Sequence, residues 1–144
     1  KDVRHAINSL AYYGVFDDLN FTLGDGGVVT LTGQVMQYYV HNSAVTAVRT
    51  IPGVTRVVDQ IEVLPLSPYD NDIRLRAYNA IFGYPALSRH AINARPPIRI
   101  LVKNGRALII PASEETIGHI TTGNARFWKK ELEVLLRDTP RASQ

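Results

Sequence analysis

A chain of 144 residues with a net charge of +3, no cysteine and no long apolar run is bounded before any motif is read. It is long enough for one ordinary domain or two small ones, and its apolar content excludes a disordered chain. The missing thiols exclude disulfides, cysteine nucleophiles and cysteine-ligated zinc, and no stretch could cross a bilayer as a helix. No signal peptide opens the sequence, and Lys1 in place of methionine reads as a processed or trimmed product. Charge is uneven. Up to Leu64 the bases Lys1, Arg4, Arg49 and Arg56 are outnumbered by Asp2, Asp17, Asp18, Asp25, Asp59 and Glu62, whereas the remainder is basic. A basic half suits an anionic partner such as a membrane surface or nucleic acid, although a solvated surface is the simpler account of so modest an excess.

In chain order, Val3, Ala6, Ile7, Leu10 and Ala11 fall at helical spacing over residues 2–13, with Asp2 at the favourable end of the dipole and Gly14 as the stop. Leu19–Leu23 and the glycine-bracketed stretch Gly26–Val35 alternate with period two, the mark of strands with one buried face. Between them Gly24-Asp25-Gly26-Gly27 supplies the positive φ angles of a hairpin turn, and Gly33 is expected to end the second strand. Met36, Tyr39, Val40, Ala44, Ala47, Val48 and Ile51 make one apolar stripe, so Met36–Ile51 reads as a helix closed by Pro52-Gly53. Val54–Leu64 is then a strand with Val57, Asp59, Ile61 and Val63 on one face.

Pro65-Leu66-Ser67-Pro68 has linker composition, after which the order restarts. Asp72-Ile73-Arg74 echoes Asp2-Val3-Arg4, and Gly83 follows a helix as Gly14 does. Ile98–Val102 and Arg106–Ile110 flank an Asn104-Gly105 hairpin turn. The echo fades where Pro111 takes the place of Gly33. Residues 113–122 are expected to form a short replacement for the second helix. Phe127–Arg137 admits two readings. As a helix it gathers Trp128, Leu132, Leu135 and Leu136 on one side; as a strand it aligns Trp128, Leu132, Val134 and Leu136. Leu132-Glu133-Val134-Leu135 echoes Ile61-Glu62-Val63-Leu64, and a hairpin left without a third strand buries too little, so a strand over Lys129–Leu136 is expected.

The run Gly27–Val35, a helix, then Pro52-Gly53-Val54 and Val57–Val63 resemble the BON domain, a family named for bacterial osmotically inducible and nodulation proteins. The resemblance implies an α+β fold of tandem αββαβ units, each a small three-stranded mixed sheet with two helices on one face. The units would span residues 1–65 and 72–144, with 66–71 as linker. It also implies a non-enzymatic module of the periplasm or cell envelope, associated with phospholipid or another anionic surface and with osmotic stress. The competing reading is a protein-interaction or structural domain, binding a partner or itself, with no lipid role.

Candidate chemistry is sparse. His5, His41, His90 and His119 share no ligand spacing, and Ser88-Arg89-His90 is only a loop tripeptide, so no metal, cofactor or catalytic residue is assigned. Asp17-Asp18 suits a turn or cap better than an acid–base pair. The Gly24–Gly27 loop carries Asp25 in the acidic half, which argues against an RNA clamp and against nucleic acid. An anionic surface would meet Arg74, Arg76, Arg89 and Arg95, in a stretch that continues through Arg99, Lys103 and Arg106. Tyr38 and Tyr39 are adjacent on one helix, so at most one can point fully inward and the other is an exposed aromatic. Gly27, Gly33, Gly53 and Gly105 are assigned to backbone geometry.

Overall fold

The alternation of Val28–Val35 makes that segment the middle strand of a sheet, because a strand paired on both sides must bury one face completely. The computed structural model describes residues 2–91 and 97–111. Over these the elements are α1 (Asp2–Asn8), β1 (Asp18–Leu23), a 3-10 turn (Asp25–Gly27), β2 (Val28–Val35), α2 (Tyr38–Arg49) and β3 (Arg56–Val63). Then come α3 (Pro68–Phe82), α4 (Pro85–Ser88), β4 (Ile98–Lys103) and β5 (Arg106–Pro111). β2 pairs antiparallel with β1 and parallel with β3, giving a mixed sheet in the order β1-β2-β3.

Val29, Leu31 and Val35 point to one face of β2, and Val3 and Ile7 of α1 with Val40, Ala44 and Val48 of α2 cover them. The α2 set is spaced by four, the period that puts side chains on one helix face. At seven residues α1 is too short to hold itself, and burying Val3 and Ile7, at about 1.5–3 kcal/mol each, is what keeps it helical. In the parallel register Val57, Asp59, Ile61 and Val63 stand beside Val29, Leu31, Gly33 and Val35, the face expected from the sequence.

Several boundaries differ from expectation. α1 stops at Asn8, and the left-handed residue that turns the chain is Tyr12 (φ 64), not Gly14. The cause is Tyr13, which is buried with its hydroxyl accepting the Leu19 N–H (3.0 Å), so the chain must reverse before it. β2 continues through Gly33 to Val35 instead of ending there. α2 starts two residues late because the Met36 N–H is taken by Asp17 Oδ1 (2.8 Å) and Gln37 is extended.

The second part begins inside the stretch expected to be linker. Ser67 Oγ accepts the Asp70 N–H (3.1 Å) and Pro68 occupies the first turn, so Ser67-Pro68 starts α3. β4 and β5 form an antiparallel hairpin, turned by Asn104 (φ 52) and Gly105 (φ 74) as a two-residue primed turn requires. The buried carboxylate of Asp70 accepts the N–H groups of Asn104 (3.0 Å) and Gly105 (2.7 Å), tying the turn to α3. Ile98, Ile100 and Val102 pack with Ile81, Phe82 and Leu87 in a second core.

The two parts meet along the segment between α1 and β1. Val15 and Phe16 join the second core, and the Ile100 N–H donates to the Val15 carbonyl (2.8 Å), covering the edge of β4. The expected helix at 113–122 and the expected strand at Lys129–Leu136 lie outside the described residues.

Candidate functional site

The fold sorts the basic stretch into three fates. Arg74 was expected on the surface, but it is 3% exposed, because the fourth residue after Asp70 faces the same core. Its Nη2 donates to the Val102 carbonyl (2.6 Å) and its Nη1 to Asn71 Oδ1 (2.6 Å), so it meets no external anion. Arg99 is also 3% exposed; its guanidinium lies 4.5 Å from the Tyr13 ring centre and Nη1 donates to the Gly14 carbonyl (2.5 Å). Lys103 pairs with Glu62 across the two parts, and Gln34 Nε2 also donates to that carboxylate (2.6 Å). The Lys103 hydrogen bond, more than the Gln34 one, holds the Glu62 carboxyl below its ordinary value.

What remains at the surface is Arg76, Arg89 and Arg106. Arg76 is paired with Asp72 one turn back, and with Tyr69, Leu75 and Asn79 it forms the solvent arc of α3. Arg89 is exposed just past α4. Arg95 lies outside the described residues. Arg49 and Arg56, on the first part, are exposed as well.

Aromatic exposure exceeds the expectation. Neither Tyr38 (64% exposed) nor Tyr39 (50%) points inward; Val40 takes the core position and the first turn of α2 projects past it. Tyr39 meets Tyr12 edge to face, with centroids 5.5 Å apart and planes at 81°. Tyr38 stacks on His41 (5.4 Å, 15°), whose Nε2 donates to Asp59 Oδ2 (2.8 Å). Tyr12, 79% exposed, was read as the tail of a helix and so escaped notice. The signal that could have found it is the Tyr12-Tyr13 pair, since only one of two neighbours can enter the core.

Asp17 proves to be a structural cap. Its two oxygens accept the N–H groups of Gly14 (2.9 Å) and Met36 (2.8 Å), and burial pushes its carboxyl above the usual value. Gly27, Gly33, Gly53 and Gly105 all have positive φ. Among the described residues no three His, Asp or Glu side chains converge on a metal-sized site, and no helix is long and apolar enough to cross a membrane.

A search of curated proteins returns no match to this chain. Residues 17–65, from the Asp17 cap through the end of β3, match the family model described as BON domain.

Proposed function

We propose that the chain is a non-enzymatic binding module that associates with an anionic phospholipid surface of the bacterial envelope through the outer arc of α3. BON domains form a family of binding modules associated with the envelope and are not known as enzymes. The observation that supports this reading is the exposure of Leu75 beside Arg76, with Tyr69 on the same arc. An exposed apolar side chain beside a base can enter the headgroup region while the charge meets phosphate. Arg89 adds a second exposed base, and Arg95 follows it in sequence. The Asp72 partner of Arg76 is itself exposed, so the pair opens at little cost.

The test is co-sedimentation with phosphatidylglycerol-containing vesicles against pure phosphatidylcholine vesicles. Each base near an anionic surface is worth about 1 kcal/mol, so reversing both Arg76 and Arg89 to Glu weakens binding about tenfold or more. Reversing Arg49 and Arg56 has a smaller effect, and added salt weakens the parent chain. Equal binding to both vesicle types, or indifference to the Arg76 and Arg89 reversals, removes the proposal.

A further inference from the structure

The aromatic corner built by Tyr12, Tyr38 and Tyr39 is not needed for the α3 reading, and its construction asks for an explanation. Tyr12 holds a left-handed backbone (φ 64), a conformation that a bulky residue adopts against its steric preference. The residue so held is 79% exposed, so the backbone strain is not offset by burial of the ring. Instead it sets the ring at right angles to Tyr39, in edge-to-face contact, with the outer surface of the pair turned to solvent. Tyr38 precedes Tyr39 on α2 and has one face on His41, which is fixed by Asp59 and lies 3.1 Å from Asn42 Oδ1 through Nδ1. The start of α2 thus presents exposed tyrosine faces at the Tyr12–Tyr39 pair and at Tyr38, the latter with the hydrogen-bonding groups of His41, Asn42 and Asp59 next to it.

We infer that this corner is a binding platform for a neutral, β-linked glycan chain, a function separate from the α3 surface. A pyranose with equatorial hydroxyls has flat C–H faces and a polar perimeter. The faces stack on tyrosine planes while Asn42, Asp59, His41 and the phenol hydroxyls reach the perimeter. Tyrosine suits such a site because it offers large amphipathic area at low entropy cost. Charge favours a neutral occupant over an anionic one: among the described residues no lysine or arginine lies over these rings, and the cation–π contact the protein does make is Arg99 on the buried Tyr13. The Asp59 carboxylate beside the corner opposes a phosphate headgroup.

The test titrates the intact chain with soluble β-1,4-linked hexasaccharides of glucose and of N-acetylglucosamine, following backbone amide shifts. The expected result is millimolar or tighter binding of at least one of them, with shifts centred on residues 10–13 and 37–42 and no loss at high salt. Tyr12→Gly and Tyr39→Ala each weaken it about tenfold, in the range of losing one stacking partner with its contacts. Tyr12→Gly is the sharper variant, because glycine accepts the left-handed backbone and the fold is retained, which thermal unfolding checks. Reversal of Arg76 and Arg89 leaves glycan binding unchanged, so the two surfaces fail or succeed separately. The inference is overturned if neither hexasaccharide binds, if binding survives both tyrosine variants, or if those variants abolish binding to phosphatidylcholine vesicles instead.

Discussion

Replacing Gly33 with alanine probes the closest approach in the sheet. Gly33 lies on β2 with φ 117, opposite Leu19 of β1 and Ile61 of β3. Two separate costs follow. A side chain held in this backbone region costs about 1–3 kcal/mol whatever the space around it. A Cβ there would also overlap the Asp18 carbonyl oxygen, with the Leu19 Cα only 3.2 Å away, and these are backbone atoms of a paired strand that cannot swing aside. Forcing them apart costs about 1–3 kcal/mol more, so Gly33→Ala should lose about 2–6 kcal/mol and Gly33→Val at least as much. Gly53 supplies the control. Its φ is 87, yet a Cβ there meets nothing within 4 Å, so Gly53→Ala should show the conformational cost alone. Urea unfolding followed by far-ultraviolet circular dichroism measures both, and the difference between midpoints at a common slope is the steric part. If Gly33→Ala proves no worse than Gly53→Ala, the β1–β2 contact is not what demands glycine and the reasoning fails.

Two further outcomes follow from the buried charges. Arg74→Glu places a carboxylate against the Val102 carbonyl and should cost about 3–5 kcal/mol or prevent folding, as loss of a buried charge partner does. A normally folded variant that loses only vesicle binding would return Arg74 to the surface. Asp17 has a folded value raised above 3.8 by burial, so its stabilising contribution is complete below that value and is lost as pH rises through the folded one. The parent therefore gains from Asp17 on acidification from neutrality, and the stability deficit of Asp17→Asn should widen over that range; a deficit that narrows contradicts the burial argument.

The first half was legible because its signals agree: alternation, glycine turns and a four-residue stripe all specify one sheet with one covered face. Glycine was also read correctly at Gly33, although as a strand end, because sequence cannot say that a strand continues through a strained residue. The stop of α1 was misplaced for a different reason. Nothing local marks Tyr12 as left-handed, and the turn is dictated by where Tyr13 must dock. Arg74 was misread because charge was counted without periodicity. Arg74 falls four residues from Asp70 and Arg76 six, and that difference separates an interior residue from an exposed one. Arg99 sits in a strand whose residues are buried on both faces from Ile98 to Val102, a burial that depends on chain eighty-five residues away.

That long-range contact explains why so many polar groups lie at the junction. A two-stranded hairpin is marginal by itself, and here the edge of β4 is covered by Val15 while α3 covers one of its faces. An apolar seam could supply the burial but would leave the hairpin free to slip along the segment before β1. Arg99 on the Gly14 carbonyl, the Val15–Ile100 bond and the Glu62–Lys103 pair fix the register at three separate points. The fixation has a cost. Asp18 Oδ1, Arg74 Nε and Arg99 Nε are buried without a hydrogen-bond partner among the described residues, each a penalty of about 1–3 kcal/mol. Stability alone does not select such a junction, since well-packed apolar residues of the same volume would do as well or better. What the three points hold is the placement of α3 against the β1-β2-β3 sheet, because a slipped hairpin would carry the Asp70-anchored helix and its exposed arc along with it.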